Sequence, residues 1–294
     1  MKPLTLRPLL VVFALASVAH AAAATGLSAA NFVEVGDSVS EMLDTSALAF
    51  STMLMDSAAM QPPMRTMNLG TAEARPTPRL RAFRQPCPGG GRVDIAVIDA
   101  DASGDLSTRD RFKLDFGACA ITGNLVSGHS EFVVAAHRFE GMSEITELDF
   151  RFKALGSAAM RWSGAAHAVL RSDLQRGTES YVVTYHDMSV TRGSHAMRWN
   201  FSVDMVRPPI GNQIASVEGV IAVDGLPLQL HQDEPFAIAA DGHPRSGQVT
   251  AVDKQGARLQ IEAMRRRYAY RLFGAKNAGE LPDSASQSRP YGGG

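Results

Sequence analysis

Cysteine is nearly absent from this chain: 294 residues contain two, Cys87 and Cys119, and no Cys-x-x-Cys motif. That excludes a thiolate-rich metal centre and gives no support to a dithiol redox site. The histidines downstream of the start, His129, His137, His167, His186, His195, His231 and His243, show no His-x-x-x-His or other ligand spacing and read as scattered. Excess charge is missing as well. With 29 basic against 30 acidic residues there is no polyelectrolyte argument for nucleic acid or for an anionic membrane surface. Long apolar runs are also lacking: beyond Leu9 to Val18 none occurs, and about 20 residues are needed for a membrane-spanning helix. No set of nucleophile, base and orienting group stands out either, so the chain is expected to be non-enzymatic.

The start carries the three parts of a secretory signal peptide over residues 1–21. Lys2 and Arg7 form the basic region, Leu9 to Val18 the short apolar core, and Ala19-His20-Ala21 the small-x-small cleavage site. No cysteine stands directly after that site, so a lipid anchor is not indicated, and a periplasmic or secreted destination is expected.

The mature chain, 45% hydrophobic over the whole sequence, has material for one large core. Residues 22–60 form an N-terminal segment with one expected helix, Asp37 to Ala59. Ser38-Val39-Ser40-Glu41 reads as its capping box, and Val39, Met42, Leu43, Phe50, Met53 and Leu54 as its apolar stripe. Residues 61–91, dense in proline and ending in Gly89-Gly90-Gly91, read as a connector. From Arg92 the period changes to two. Val93, Ile95 and Val97 alternate with polar or small neighbours, as do Phe112, Leu114 and Phe116, and then Trp199, Phe201, Val203 and Met205. Weaker versions recur through Leu272, about ten to twelve strands in all with no helix between them, which requires antiparallel pairing. The expected fold is mainly β: a large antiparallel sheet over residues 92–273, a curled half-barrel or a sandwich, with one N-terminal helix. Residues 274–294 read as a tail without order.

The most specific local signal lies between two expected strands. Asp99-Ala100-Asp101-Ala102-Ser103-Gly104-Asp105-Leu106-Ser107-Thr108-Arg109-Asp110 matches the twelve-residue calcium loop at its first, third, fifth, sixth, eighth, ninth and twelfth positions. Asp99, Asp101, Ser103, Asp105 and Asp110 are its candidate ligands. Asp110 replaces the usual longer Glu, and the flanks read as strands where helices are usual. A polar hairpin turn would use the same Asp, Ser and Gly residues, so calcium loop and bare turn both stand.

Cys87 and Cys119 are expected to form a disulfide in an exported protein. A hairpin folded symmetrically about Gly104 sets position 119 opposite 89, within bridging reach of Cys87. Gly36-Asp37-Ser38 resembles the nucleophile block of the GDSL esterases, an α/β family. The chain has neither that family's C-terminal Asp-x-x-His nor its alternating strands and helices, so Ser38 reads as a helix cap. Met53, Met55, Met60, Met64 and Met67 raise copper binding, since thioethers suit a cuprous ion, against the plainer reading as core and flexible-chain methionines. The basic run Arg265 to Arg271 would either grip an anionic headgroup or polysaccharide, or protect an edge strand from aggregation.

The span Cys87 to His137, with its cysteine, glycine-rich turn, Asp-x-Asp loop, strand and second cysteine, resembles a group of exported Gram-negative β-rich proteins. Pro244-Arg245-Ser246-Gly247 before a strand adds to the resemblance. Together these cover about half the mature chain and imply location and fold, not an activity. One helix cannot cover so many one-sided strands, so the first functional expectation is a non-enzymatic exported protein binding lipid or another hydrophobic partner on a concave sheet face. The alternative is a secreted structural or surface module with a calcium-rigidified loop.

Overall fold

The computed structural model describes residues 26–44, 78–87, 89–121, 124–239, 244–265, 267–274 and 285–290. Fourteen strands follow one another in a single antiparallel sheet, each paired with its neighbours in sequence. They are β1 (Arg79–Pro86), β2 (Arg92–Asp99), β3 (Arg111–Ile121), β4 (Asn124–Glu140), β5 (Ser143–Gly156), β6 (Met160–Asp173) and β7 (Thr178–Arg192). The second half comprises β8 (His195–Arg207), β9 (Gln213–Val223), β10 (Leu226–Ile238), β11 (Pro244–Asp253), β12 (Arg258–Met264), β13 (Arg267–Phe273) and β14 (Ala285–Pro290). The sheet is not closed into a barrel; β1 and β14 are its two edges.

Two-residue periodicity makes these strands and chooses their buried face. In β8, Met197, Trp199, Phe201, Val203 and Met205 are buried, while Arg198, Asn200 and Asp204 between them are exposed. Tight turns hold the register. Between β9 and β10, Asp224 and Gly225 both take positive φ, 49° and 82°, as the two-residue hairpin with the right twist demands. Across the inner face, Phe112, Phe132, Phe150, Ala166 and Tyr185 are successive register partners. Beyond them Tyr185, Trp199 and Phe201 pack ring against ring at 4.9 to 5.7 Å. The buried apolar residues form one cluster from β2 to β13, so the sheet wraps a single core.

Helix α1, residues 32–44, packs into that core through Phe32, Val35, Val39, Met42 and Leu43, which recur at helical spacing. It begins earlier than the sequence pattern suggested. The Ser28 carbonyl takes the Phe32 N–H at 3.0 Å, and the Asn31 side chain accepts the Ser28 N–H at 2.8 Å and its hydroxyl at 3.1 Å, one half of a capping box. Ser38 and Ser40 therefore lie inside the helix and do not cap it; their hydroxyls donate back to the Glu34 and Asp37 carbonyls. Residues 45–59 of the expected helix lie outside the described residues, as do the signal-peptide segment and the methionine group from Met53 to Met67.

Two boundaries move. The connector expected over 61–91 contains β1, which pairs with β2 along its whole length, from Arg79 opposite Asp99 to Pro86 opposite Arg92. The tail expected to lack order supplies β14, paired with β13 from Leu272 opposite Ala285 to Arg267 opposite Pro290. Both are edge strands held by main-chain ladders, which need no hydrophobic alternation. With β14 in place, β13 is no edge. Tyr268 and Tyr270 of its basic run face α1 and are buried, and Arg271 on the other face lies 3.3 Å from Glu262.

Candidate functional site

The β2–β3 loop brings three of the five candidate ligands together. Asp99 ends β2, Asp110 precedes β3, and with Asp101 they offer carboxylate oxygens within 4.8 Å of one another. Asp99 and Asp110 are buried, and Asp101 is exposed. Asp110 closes the loop by accepting the N–H groups of Ala100 and Ser107, both at 2.8 Å, and the Ser107 hydroxyl at 3.1 Å. One oxygen of Asp99, Oδ2, accepts the Gly104 N–H at 3.0 Å; the other, Oδ1, is buried and has no hydrogen-bond partner. The Ser103 hydroxyl beside Asp101 holds that carboxyl below its ordinary range. Ser103 also bonds to the main chain of Asp105, its hydroxyl donating to the Asp105 carbonyl at 3.1 Å. The Asp105 side chain is not among the three clustered carboxylates.

Strand topology fixes what else lies at this end. In a meander every even-to-odd turn falls on one rim, so the β2–β3 loop shares it with the β4–β5, β6–β7 and β8–β9 turns. The rim is tied together: His137 Nδ1 donates to the Leu106 carbonyl at 2.7 Å, its Nε2 lies 3.0 Å from Glu144, and the Leu174 N–H donates to the Met142 carbonyl at 3.0 Å. Four large apolar side chains project from it: Phe139 at 63% exposure, Met142 at 57%, Leu174 at 57% and Ile210 at 89%. The charges around them are neutralised locally. Arg138 pairs with Glu140 and Glu147, Arg176 with Asp173, and Arg207 with Glu179.

The concave face is filled by the protein's own side chains over much of its extent. Trp199, Phe201, Tyr268, Tyr270 and Leu228 are almost wholly buried there. Toward β3 and β4 the cover is thinner: Phe112 and Phe132, stacked at 4.5 Å, are only partly buried. Burial pushes the Tyr181 hydroxyl up to about 12 and that of Tyr185 further still.

The Gly36-Asp37-Ser38 segment has a structural use. A Cβ at Gly36 would lie 2.9 Å from the Tyr270 ring, so the glycine lets α1 rest on that ring, and Ser38 is fully buried. The histidines are less scattered than their spacing suggests. His129 stands opposite Asp115 and bonds to it, His167 opposite Asp149 at 2.8 Å, and His195 bridges Asp224 at 2.7 Å and Glu34 at 3.1 Å. Register makes the first two pairs, and the approach of the β9–β10 turn and α1 to His195 makes the third. The disulfide is present, Cys87 to Cys119 with Cα atoms 5.4 Å apart, fastening the β1–β2 turn to β3.

No family model matches the chain, and no curated protein or solved structure matches it significantly.

Proposed function

We propose that this is an exported, non-enzymatic protein that docks on a lipid surface through the rim carrying Phe139, Met142, Leu174 and Ile210. The observation that carries the reading is the gathering of these four exposed apolar side chains at one end of the sheet, Met142, Leu174 and Ile210 on its turns and Phe139 at the end of β4. Apolar groups at protruding tips enter a bilayer interface more readily than they pair with a flat protein face. Each contributes roughly 1.5 to 3 kcal/mol when fully buried, an upper bound for partial insertion. Because neighbouring charges are already paired, the attraction is apolar and insensitive to salt.

The strands themselves do not belong in lipid. In β8 the inward positions are apolar while Arg198, Asn200 and Asp204 face outward, opposite to the arrangement of a membrane-embedded barrel. Among the described residues no helix is long and apolar enough to cross a membrane. The Cys87–Cys119 bridge and the start of the sequence support export through a cleaved signal peptide.

The test is co-sedimentation of the mature protein with phosphatidylcholine/phosphatidylglycerol vesicles at low and high salt. The wild type is expected to pellet at both, and a Phe139→Ser/Met142→Ser/Leu174→Ser/Ile210→Ser variant to stay in solution with unchanged thermal stability. A wild type that stays in the supernatant at both salts ends the proposal.

A second reading rests on Phe112 and Phe132, a stacked, partly buried aromatic pair on the inner face, as the place for an acyl chain. Native mass spectrometry separates the two: a retained lipid mass favours the inner face, and vesicle binding by a lipid-free protein favours the rim.

A further inference from the structure

The β2–β3 loop contains an electrostatic imbalance of its own, independent of how the rim is used. Asp99 and Asp110 are 6% and 2% exposed. With Asp101 they set three carboxylates around one point, their nearest oxygens within 4.8 Å. Asp110 is compensated by two N–H groups and a hydroxyl. Asp99 is not: one oxygen takes a single N–H, and Oδ1 is buried with no partner. Among the described residues no Lys or Arg forms an ion pair with any of the three. Burying a carboxylate oxygen without a partner costs several kcal/mol, and the close approach of two more carboxylates raises that cost.

We propose that Asp99, Asp101 and Asp110 hold a calcium ion, with Asp99 Oδ1 as the buried ligand around which the site is built. A cation supplies what Asp99 lacks and removes the mutual repulsion of the three carboxylates. The donors are all hard oxygens with no sulfur or imidazole among them, which selects calcium or magnesium over zinc or copper. Calcium is the better fit. It accepts irregular sets of six to eight oxygens, including hydroxyls such as those of Ser103 and Ser107, whereas magnesium requires a near-ideal octahedron and keeps its water.

The ion would join the end of β2 to the start of β3 through side chains that flank the loop. Its influence extends along the rim, because the Leu106 carbonyl is bonded to His137, which also reaches Glu144. Calcium therefore stiffens the β2–β3 loop and the β4–β5 turn together.

The experiment uses the mature protein stripped with chelator, in buffer without lipid, so its failure leaves the lipid reading untouched. Isothermal titration with calcium chloride is expected to give one ion per chain. Saturating calcium should raise the thermal midpoint by several degrees over the chelated protein, as linkage requires of a ligand that binds only the folded state. Asp101→Asn, at an exposed position that does not endanger folding, should weaken calcium binding by about tenfold or more by removing one of three charged ligands. Asp99→Asn should abolish it. No heat of binding together with equal midpoints in calcium and chelator overturns the proposal. So does an Asp101→Asn protein that binds as the wild type does, and magnesium matching calcium overturns the choice of ion.

Discussion

Tyr270 of β13 and Ser40 of α1 meet hydroxyl to hydroxyl at 2.8 Å beneath the helix, and the tyrosine also donates to Asp37 Oδ1 at 3.0 Å. One turn back, Gly36 lies directly on the Tyr270 ring, where a Cβ would come within 2.9 Å. Tyr270 thus helps to set both the height and the rotation of α1 on the sheet. Gly36→Val forces a side chain into a filled space and should destabilise the protein by about 1–3 kcal/mol, although valine is the better helix former. Tyr270→Phe keeps the ring and removes the hydroxyl, at about 1 kcal/mol. Urea unfolding followed by circular dichroism measures both, and the prediction fails if Gly36→Val is neutral.

The Cys87–Cys119 bridge closes a loop with a sequence separation of 32, containing all of β2 and the aspartate loop. On the chain-entropy estimate its removal should cost about 3 to 4 kcal/mol. A Cys87→Ser/Cys119→Ser double variant should unfold at correspondingly lower urea. The same loss should appear when the wild type is assayed under reducing conditions, since the bridge acts on the unfolded chain.

Much of this architecture could be read from residue order alone, for a physical reason. Where one face of a strand is buried and the other wet, alternation must appear in the sequence, as it does in β8 with Trp199, Phe201 and Val203. The disulfide could be read because the sequence holds two cysteines, which have only each other as partners. The hairpin register, Arg92 opposite Gly117, lies one residue from symmetry about Gly104. Edge strands β1 and β14 were missed because main-chain pairing imposes no such pattern. The start of α1 was misplaced because Ser38 and Ser40 look like caps, while the working cap, Ser28 with Asn31, lacks the usual Glu. The apolar rim was invisible for a different reason. Phe139, Met142, Leu174 and Ile210 have no shared period, and only the meander brings their turns to one end.

Tyr181 and Tyr185 are buried on the inner face, and desolvation holds both hydroxyls protonated beyond the ordinary value of 10.0. In the unfolded chain they ionise near that value, so the folded protein keeps protons that the unfolded chain has lost. Their contribution to stability is fully present below pH 10 and is lost as pH rises toward about 12, the folded value for Tyr181. Alkaline unfolding should therefore coincide with the rise of tyrosinate absorbance for these two residues. Tyr181→Phe/Tyr185→Phe should show a shallower loss of stability with pH above 10. Tyrosinate appearing in full while the β-sheet signal is intact contradicts the assignment.

His195 joins three elements at the end of the sheet opposite the apolar rim. It lies at the start of β8, takes Asp224 of the β9–β10 turn at 2.7 Å through Nδ1, and reaches Glu34 of α1 at 3.1 Å through Nε2. Asp224 keeps a second bond, accepting the Ala196 N–H at 2.8 Å, so the turn survives without the imidazole. What His195→Leu removes is one of several links from the sheet to the helix, beside Tyr268 with Asp44, Tyr270 with Asp37 and Arg192 with Glu41. Both carboxylates are half exposed and regain water, so the loss is modest, about 1 kcal/mol. It should also be local. Hydrogen exchange of the α1 amides should speed up about fivefold, the equivalent of that energy, while amides in β7 to β9 exchange as in the wild type. Equal acceleration across the sheet would show that His195 supports the whole core, and no acceleration in α1 would show that Tyr268, Tyr270, Arg192 and the apolar packing hold the helix down without it.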